Sequence, residues 1–236
     1  MDDLTLGILV SVGTAVLIGG IFLLDRRARA QRTAKLLAAA AERGWECTPI
    51  KEGRMSGYQI KGRTQGVTWS LESTLTTAPA ASGSGATSHQ TRHTRWQSSG
   101  AALADGLILI GPRTTAGPIP DTQALGGLAG MVVQKAMELM LGEDAAYFPG
   151  LREVSLGSGE LRERFMVWAQ DERAARRLLT FSVERALTDW TSKIPLVVKM
   201  NPRGLQIDLQ NAQLLDPAAL EQLVNLGVGL VQAWQA

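Results

Sequence analysis

The residues best suited to chemistry in this 236-residue chain are two histidines and a few scattered aspartates. His89 and His93 lie four positions apart, a spacing that on a helix brings two metal ligands onto one face. The surrounding sequence is rich in Ser, Ala, Gly and Thr, which disfavours a helix, and no acidic or cysteine partner stands nearby. The pair therefore does not predict a metal site, and no cofactor is expected.

Four residues remain as candidates for a dispersed hydrolase or transferase site: Asp105, Asp171, Asp208 and His93. Each also has a simpler interpretation. Asp105 stands in a turn, Asp171 at a helix N-cap, Asp208 at an exposed strand position and His93 at a loop tip. The sequence contains no nucleophile elbow, H-E-x-x-H motif or P-loop, and its single cysteine, Cys47, has no histidine close by. We therefore expect a protein that is not an enzyme.

The longest stretch without a charged residue covers residues 4–24. A helix needs about 20 apolar residues to cross the hydrocarbon core of a bilayer, and this stretch has that length. The acidic Asp2-Asp3 pair precedes it and several arginines follow it, and positive charge favours the cytoplasmic side. Residues 1–25 thus predict a single transmembrane anchor in the cell inner membrane, with the N-terminus outside and the C-terminal domain in the cytoplasm. A cleaved signal peptide, the alternative, would need a basic start and a shorter apolar core.

Residues 26–44 predict a basic juxtamembrane helix that ends at Gly44, a natural C-terminal cap. Each cation close to an anionic membrane surface gains about 1 kcal/mol. Five side chains are expected to contact membrane lipid in this way: Arg26, Arg27, Arg29, Arg32 and Lys35. Over the whole chain the net charge is only +2, so no nucleic-acid partner is expected.

Residues 45–236 predict an α+β soluble domain of antiparallel β-hairpins or sheet packed by helices. The predicted strands are 45–50, 58–62, 67–72, 105–112, 164–169, 196–200 and 205–209. Helices are predicted at 121–142, at 171–190 and from Asp216, a helix cap, onwards, and Asn201–Gly204 is predicted to be the turn between the last two strands. On the hairpin formed by 58–62 and 67–72, five side chains are expected to share the covered face: Tyr58, Ile60, Val67, Trp69 and Leu71. The polar stretch 76–100 predicts a long loop, or alternatively a long hairpin in which 91–98 is the outgoing strand. This order fits either a single sheet unit or two units. The two units would be 45–118 and 150–236, with the helical segment 121–142 between them.

Turn glycines, a helix cap and core residues in these segments form a pattern that is similar to that of one protein family. They are Arg43-Gly44-Trp45; Gly62, Gly66 and Trp69; Phe165, Val167, Ala169, Asp171, Ala175 and Leu178-Leu179-Thr180; and Gly204-Leu205 with Ile207. The pattern resembles an uncharacterised family of bacterial membrane-anchored proteins that have an N-terminal anchor and an α+β cytoplasmic region. The resemblance covers residues 26–209, implies that fold and location, and brings no catalytic residue with it.

Together these features predict a membrane-tethered, non-enzymatic module that binds a protein or lipid partner at the inner face of the membrane. Small residues four apart in the anchor (Gly7, Ser11 and Ala15) would let two copies approach closely. An envelope sensor or assembly factor that forms a homo-oligomer through its anchor is therefore an alternative. A hydrolase or transferase with a dispersed site is the other.

Overall fold

The computed structural model describes residues 20, 27, 28, 30–78, 89–113, 142–147, 150–190 and 194–236. The predicted anchor at 4–24, apart from Gly20, and the predicted helical segment 121–142, apart from Gly142, lie outside these residues. Within the part of the chain that is described, no helix is both long and apolar enough to cross a membrane.

The described strands form one nine-stranded antiparallel sheet. They are β1 (Glu46–Glu52), β2 (Met55–Thr64), β3 (Val67–Ala78), β4 (His89–Ser98), β5 (Ile108–Pro112), β6 (Arg152–Glu153), β7 (Phe165–Ala169), β8 (Leu196–Asn201) and β9 (Gly204–Gln210). Their order across the sheet is β1-β2-β3-β4-β9-β8-β5-β7-β6. Of the two predicted arrangements the structure therefore shows a single sheet, because β5 pairs with β7 and β8 from the later part of the chain.

Helices cover one face of this sheet, which we call the helix face. They are α1 (residues 30–42), α2 (Gly159–Arg164), α3 (Glu172–Leu178), α4 (Phe181–Thr188) and α5 (Pro217–Gln235). Helix α5 packs over β3, β4 and β9, and α2 and α3 pack against β7. The main apolar core lies between these helices and the sheet. The predicted α+β fold with a large antiparallel sheet is confirmed.

A two-residue turn joins β2 to β3. Gln65 and Gly66 have φ angles of 50° and 85°, and Thr64 pairs with Val67 across the turn. Two consecutive positive φ angles suit the right-handed twist of a hairpin and explain the glycine. The side chains predicted to share the covered side of this hairpin are all buried: Tyr58, Ile60, Val67, Trp69 and Leu71.

The structure corrects the interpretation of the polar stretch 76–100 as a loop. Strand β3 continues to Ala78 and β4 begins at His89, so the long hairpin, the alternative, is right. The inward positions of β4 include Thr94, whose hydroxyl is fully buried. It is paired with Ser73 Oγ at 2.9 Å and donates to the Ala212 carbonyl at 2.9 Å. Because buried hydroxyls replace apolar side chains here, the alternation that reveals a strand is hidden in the sequence.

The helix predicted at 171–190 is two helices, α3 and α4. Asp171 caps α3 as predicted, since its Oδ1 accepts a hydrogen bond from the Arg173 amide at 2.8 Å. Thr180 then caps α4 through its hydroxyl, which accepts from the Val183 amide. Hydroxyl side chains compete with the helical backbone in this way, and the break buries both Leu178 and Leu179. Helix α2, capped by Ser158, was not predicted.

Candidate functional site

The basic helix α1 is part of the folded domain. Leu36 and Ala40 on its inner side are fully buried in the main core. Its end at Gly44 is the predicted cap: Gly44 has a φ of 72°, its amide donates to the Ala41 carbonyl, and the Trp45 amide donates to the Ala40 carbonyl. The helix is therefore held at both its inner face and its C-terminus.

An ion pair ties the end of α1 to helix α5. Arg43 Nη2 lies 2.6 Å from Glu221 Oε2, and the Arg43 guanidinium lies 5.7 Å from the centre of the Trp45 ring. Three of the residues predicted to contact lipid, Arg27, Arg32 and Lys35, are exposed. Arg26 and Arg29 lie outside the described residues. Lipid contact by these side chains stays a prediction.

The sheet surface opposite the helices is divided into an apolar part and a polar part. On β5, β7 and β8 it carries Leu109, Met166, Trp168 and Val197, which pack with Tyr147 and Leu151. On β2, β3, β4 and β9 it carries polar residues, and we call this part the polar face. Its residues lie in two rows by strand register: Lys61, Ser70, Gln97 and Gln206, then Gln59, Glu72, Arg95 and Asp208.

Asp208 of β9 lies at the centre of an ion cluster on the polar face. Its Oδ1 is 3.0 Å from Arg95 Nε and 3.2 Å from His93 Nε2, both on β4. Its Oδ2 is 3.2 Å from Lys199 Nζ on β8 and accepts a hydrogen bond from Gln206 Nε2 at 2.6 Å. Only 5% of Asp208 is exposed. The structure thus joins two of the candidate residues, His93 and Asp208, in one cluster.

Two sequence interpretations are wrong at this cluster. Asp208 is buried rather than exposed, and His93 lies within a strand rather than at a loop tip. Both errors have one cause, the pairing of β4 with β9, which sets Arg95 opposite Asp208 and His93 opposite Gln210. These strands are more than 100 positions apart in the chain, so no local pattern contains this pairing.

The electrostatics of the cluster keep Asp208 ionised. Burial raises the pKa of this carboxyl, but the hydrogen bond from His93, the charges of Lys199 and Arg95 and the hydrogen bond from Gln206 outweigh burial. The net effect holds the pKa of Asp208 well below its usual range. A carboxylate that binds a proton so weakly is poorly suited to general acid or base catalysis near neutral pH. Its effect here is to fix the side chains around it.

A second buried aspartate lies beside the β8–β9 turn. Asp144 belongs to a short 3₁₀ helix, Gly142–Tyr147, and is 2% exposed. Its Oδ1 accepts hydrogen bonds from Asn201 Nδ2 at 2.8 Å and from Arg203 Nη2 at 2.5 Å. The turn itself follows the predicted Asn201–Gly204 segment, and Asn201 Oδ1 accepts from the Arg203 amide at 2.8 Å.

A groove of about 430 Å³ opens on the polar face, next to both aspartates. Three cationic side chains line it, Lys61, Arg95 and Arg203, and none of its described lining residues is acidic. Hydroxyl and amide groups supply the other polar lining: Thr68, Ser70, Gln97, Ser98, Ser99, Asn201 and Gln206. Sequence reasoning missed this groove, because its residues come from five strands and two turns.

The other two candidate residues, Asp105 and Asp171, line a smaller and mostly apolar cavity of about 240 Å³ with Trp234. Their carboxylates serve the local backbone, as the simpler interpretation predicts. Asp171 caps α3, and Asp105 Oδ1 accepts a hydrogen bond from the Gly106 amide at 2.8 Å. The structure brings these two residues to one cavity but gives each a structural partner.

Two further titratable groups, Tyr58 and Cys47, are held in their neutral forms. Burial, and to a smaller extent the nearby Cys47, raises the pKa of Tyr58 above its usual range against the opposing hydrogen bond with Ser73. Its hydroxyl donates to the Leu214 carbonyl. Burial and the charge of Glu46 raise the pKa of the half-buried Cys47 thiol, which disfavours a reactive thiolate. Among the described residues no group of three or more His, Cys, Asp or Glu side chains is placed to hold a metal ion.

Comparisons with known proteins add little to this picture. No protein-family model matches the sequence, and no curated protein matches it. Among solved structures, the chain is similar to the mycobacterial trehalose monomycolate transport factor A, TtfA, at 8% sequence identity and a TM-score of 0.45. The match covers 86% of this chain and 93% of that chain. A likeness of this strength supports no conclusion about function, and the resemblance to a membrane-anchored family stays a prediction.

Proposed function

We propose that the protein is a non-enzymatic binding module held at the inner face of the cell membrane by residues 4–24. The observation that carries the proposal is that α1, which follows this segment, is docked in the core through Leu36 and Ala40. A helix fixed in this way would hold the domain close to the bilayer at a defined orientation. A free linker would let the domain diffuse away from the surface.

Charge supports the same arrangement. Residues 4–24 carry no charge, acidic residues precede them, and the exposed Arg27, Arg32 and Lys35 follow. Basic residues next to a membrane segment favour the cytoplasmic side and are attracted by anionic lipid. On this proposal the cations of α1 face the headgroups, and the polar face of the sheet is available to a partner.

The state of the titratable residues supports binding rather than catalysis. Asp208 is ionised and engaged by four side chains, and Asp105 and Asp171 stabilise a turn and a helix end. A catalytic acid or base needs a pKa near the working pH, and Asp208 is shifted in the opposite direction.

Alkaline carbonate extraction of bacterial membranes that contain the full-length protein tests this proposal. We expect the protein to stay in the membrane pellet. Val16→Arg should release it into the supernatant, because an arginine at the centre of a spanning helix costs about 3 kcal/mol. Ala38→Arg adds the same charge on the exposed side of α1 and should leave the protein in the pellet. Extraction of the wild type by carbonate would overturn the proposal.

A further inference from the structure

The groove on the polar face has two arginines that are each held by a nearly buried aspartate. Arg95 Nε donates a hydrogen bond to Asp208 Oδ1 at 3.0 Å, and Arg203 Nη2 donates one to Asp144 Oδ1 at 2.5 Å. Flexible side chains lose conformational freedom when they bind a ligand, and prior fixing removes part of that cost. Both guanidinium groups are thus oriented before any ligand arrives.

Hydrogen-bond donors remain available in the groove. Of the three guanidinium nitrogens of Arg95, only Nε donates to Asp208. Within the described chain the two Nη atoms of Arg95 donate no hydrogen bond. These paired nitrogens form the planar fork that matches two oxygens of a phosphate or carboxylate. Lys61 is exposed and forms no ion pair with any described residue, so its ammonium group is a further donor at the groove.

Among the described side chains, the charge balance around the groove is positive. Four cations, Lys61, Lys199, Arg95 and Arg203, stand against the two aspartates, Asp144 and Asp208. Two glutamates also lie near by strand register: Glu72 opposite Arg95 and Glu46 opposite Lys61. Neither glutamate lines the groove, and neither forms an ion pair with the cation opposite it. An anionic group would therefore meet net positive charge here.

Neutral polar side chains complete the site. Ser70, Gln97 and Gln206 lie side by side on β3, β4 and β9, in the same row as Lys61. Hydroxyl and amide groups both donate and accept hydrogen bonds, as the hydroxyls of a polyol require. We propose that this groove binds a phosphate ester of a small polyol, with the phosphate on Arg95, Arg203 and Lys61. Such a group occurs on lipid headgroups and on soluble metabolites alike.

Isothermal titration calorimetry of the full-length protein in micelles of a neutral detergent tests this site. The probes are inorganic phosphate, glycerol 3-phosphate and dihexanoylphosphatidylglycerol. We expect saturable binding that weakens as salt is added, with a polyol ester bound more tightly than inorganic phosphate. Preference for the lipid probe would identify a headgroup as the source, and preference for glycerol 3-phosphate a soluble ester.

Matched variants separate this site from general attraction to positive charge. Lys61→Gln and the double variant Arg203→Gln/Asp144→Asn, which leaves no buried carboxylate without its arginine, should each weaken binding about tenfold or more, as expected for the loss of a hydrogen bond to a charged group. Lys51→Gln and Arg152→Gln remove the same charges from exposed positions outside the groove and should bind like the wild type. Equal affinity in all four variants, or no saturable binding of any probe, would overturn the proposal.

Arg95 needs a paired variant, because R95Q alone removes a partner from a buried carboxylate. The double variant Arg95→Gln/Asp208→Asn removes both charges together. We expect it to lose binding about tenfold or more while its far-ultraviolet circular dichroism matches the wild type. Wild-type affinity in the double variant would remove Arg95 from the site and overturn the proposed geometry. All these titrations are made in micelles, so they stand whether or not the membrane-retention test succeeds.

Discussion

At the scale of single residues, Asp208 fixes side chains from three neighbouring strands. It binds His93 and Arg95 of β4, Lys199 of β8 and Gln206 of its own strand. Its folded-state pKa lies below the unfolded value of about 3.9, so ionisation of this residue stabilises the fold above that pH. The stabilisation is lost as the pH falls towards the lower, folded-state pKa.

We expect Asp208→Asn to lower the free energy of unfolding by about 3 kcal/mol at pH 7, since it removes the anion from a buried ion cluster. Urea unfolding at a series of pH values measures this difference, which should shrink below about pH 4, because the carboxylate is then protonated in the unfolded chain while it stays ionised in the folded protein. Asp189→Asn is the control, because Asp189 forms an exposed pair with Arg185 that contributes little. A difference independent of pH, or an equal loss in the control, would contradict this role.

At the scale of elements, helix α5 and strand β4 fit closely through one glycine. A Cβ atom built on Gly227 would lie 2.5 Å from Cε2 of Trp96. Trp96 is fully buried, and its indole N–H is the buried side-chain donor without a hydrogen-bond partner in the described structure. Packing against α5, rather than hydrogen bonding, therefore sets the position of this ring.

Gly227→Ala should lower the free energy of unfolding by about 1–3 kcal/mol, because the added methyl group forces the helix away from Trp96. Gly229→Ala, in the same helix, places its methyl group where no atom lies within 4 Å. That change should raise the free energy of unfolding by about 0.5–1 kcal/mol, since alanine is the better helix former. Chemical denaturation of both variants measures the two values, and the same sign in both would refute this account of the contact.

At the scale of the whole molecule, all nine described strands form one sheet, and the basic helix α1 packs into the core of the same unit. Helix α1 packs into the same core as α5, and the Arg43–Glu221 pair links the two helices. If residues 4–24 anchor the protein as proposed, the side of the membrane on which this unit lies depends on the charges that flank them. The proposed function places it in the cytoplasm.

A reporter that is active only in the cytoplasm, fused after Ala236, should give a signal with the wild-type chain. Replacement of Asp2 and Asp3 by Lys, together with Arg26, Arg27 and Arg29 by Glu, should reduce or abolish this signal, because the basic flank sets the orientation. The same fusion with only Lys51→Gln is the control and should keep the signal. No cytoplasmic signal from the wild type would place the domain outside and direct the search towards envelope partners.

Local signals were sufficient for several elements of the fold. The caps Asp171 and Asp216, the cap glycine Gly44 and the turn at Asn201–Gly204 were predicted correctly, because each depends on residues within a few positions. The buried side of the β2–β3 hairpin follows from simple alternation of apolar residues. Strand β4 was predicted only as the alternative to a loop, and the break between α3 and α4 was not predicted, since hydroxyl side chains there bond to protein groups rather than to water.

By itself the sequence determined the α+β class, most strand and helix positions and the charge pattern around residues 4–24. The tertiary structure alone decided that β5 lies between β8 and β7 and that β4 pairs with β9. The polar groove and the burial of Asp208 follow from that pairing, because they need side chains from strands far apart in the chain. From the sequence alone, an aspartate at an outward-facing strand position is predicted to be exposed. Asp208 is buried instead, because Arg95 and Lys199 from neighbouring strands lie around it. Those neighbours are set by sheet order, which local sequence does not contain.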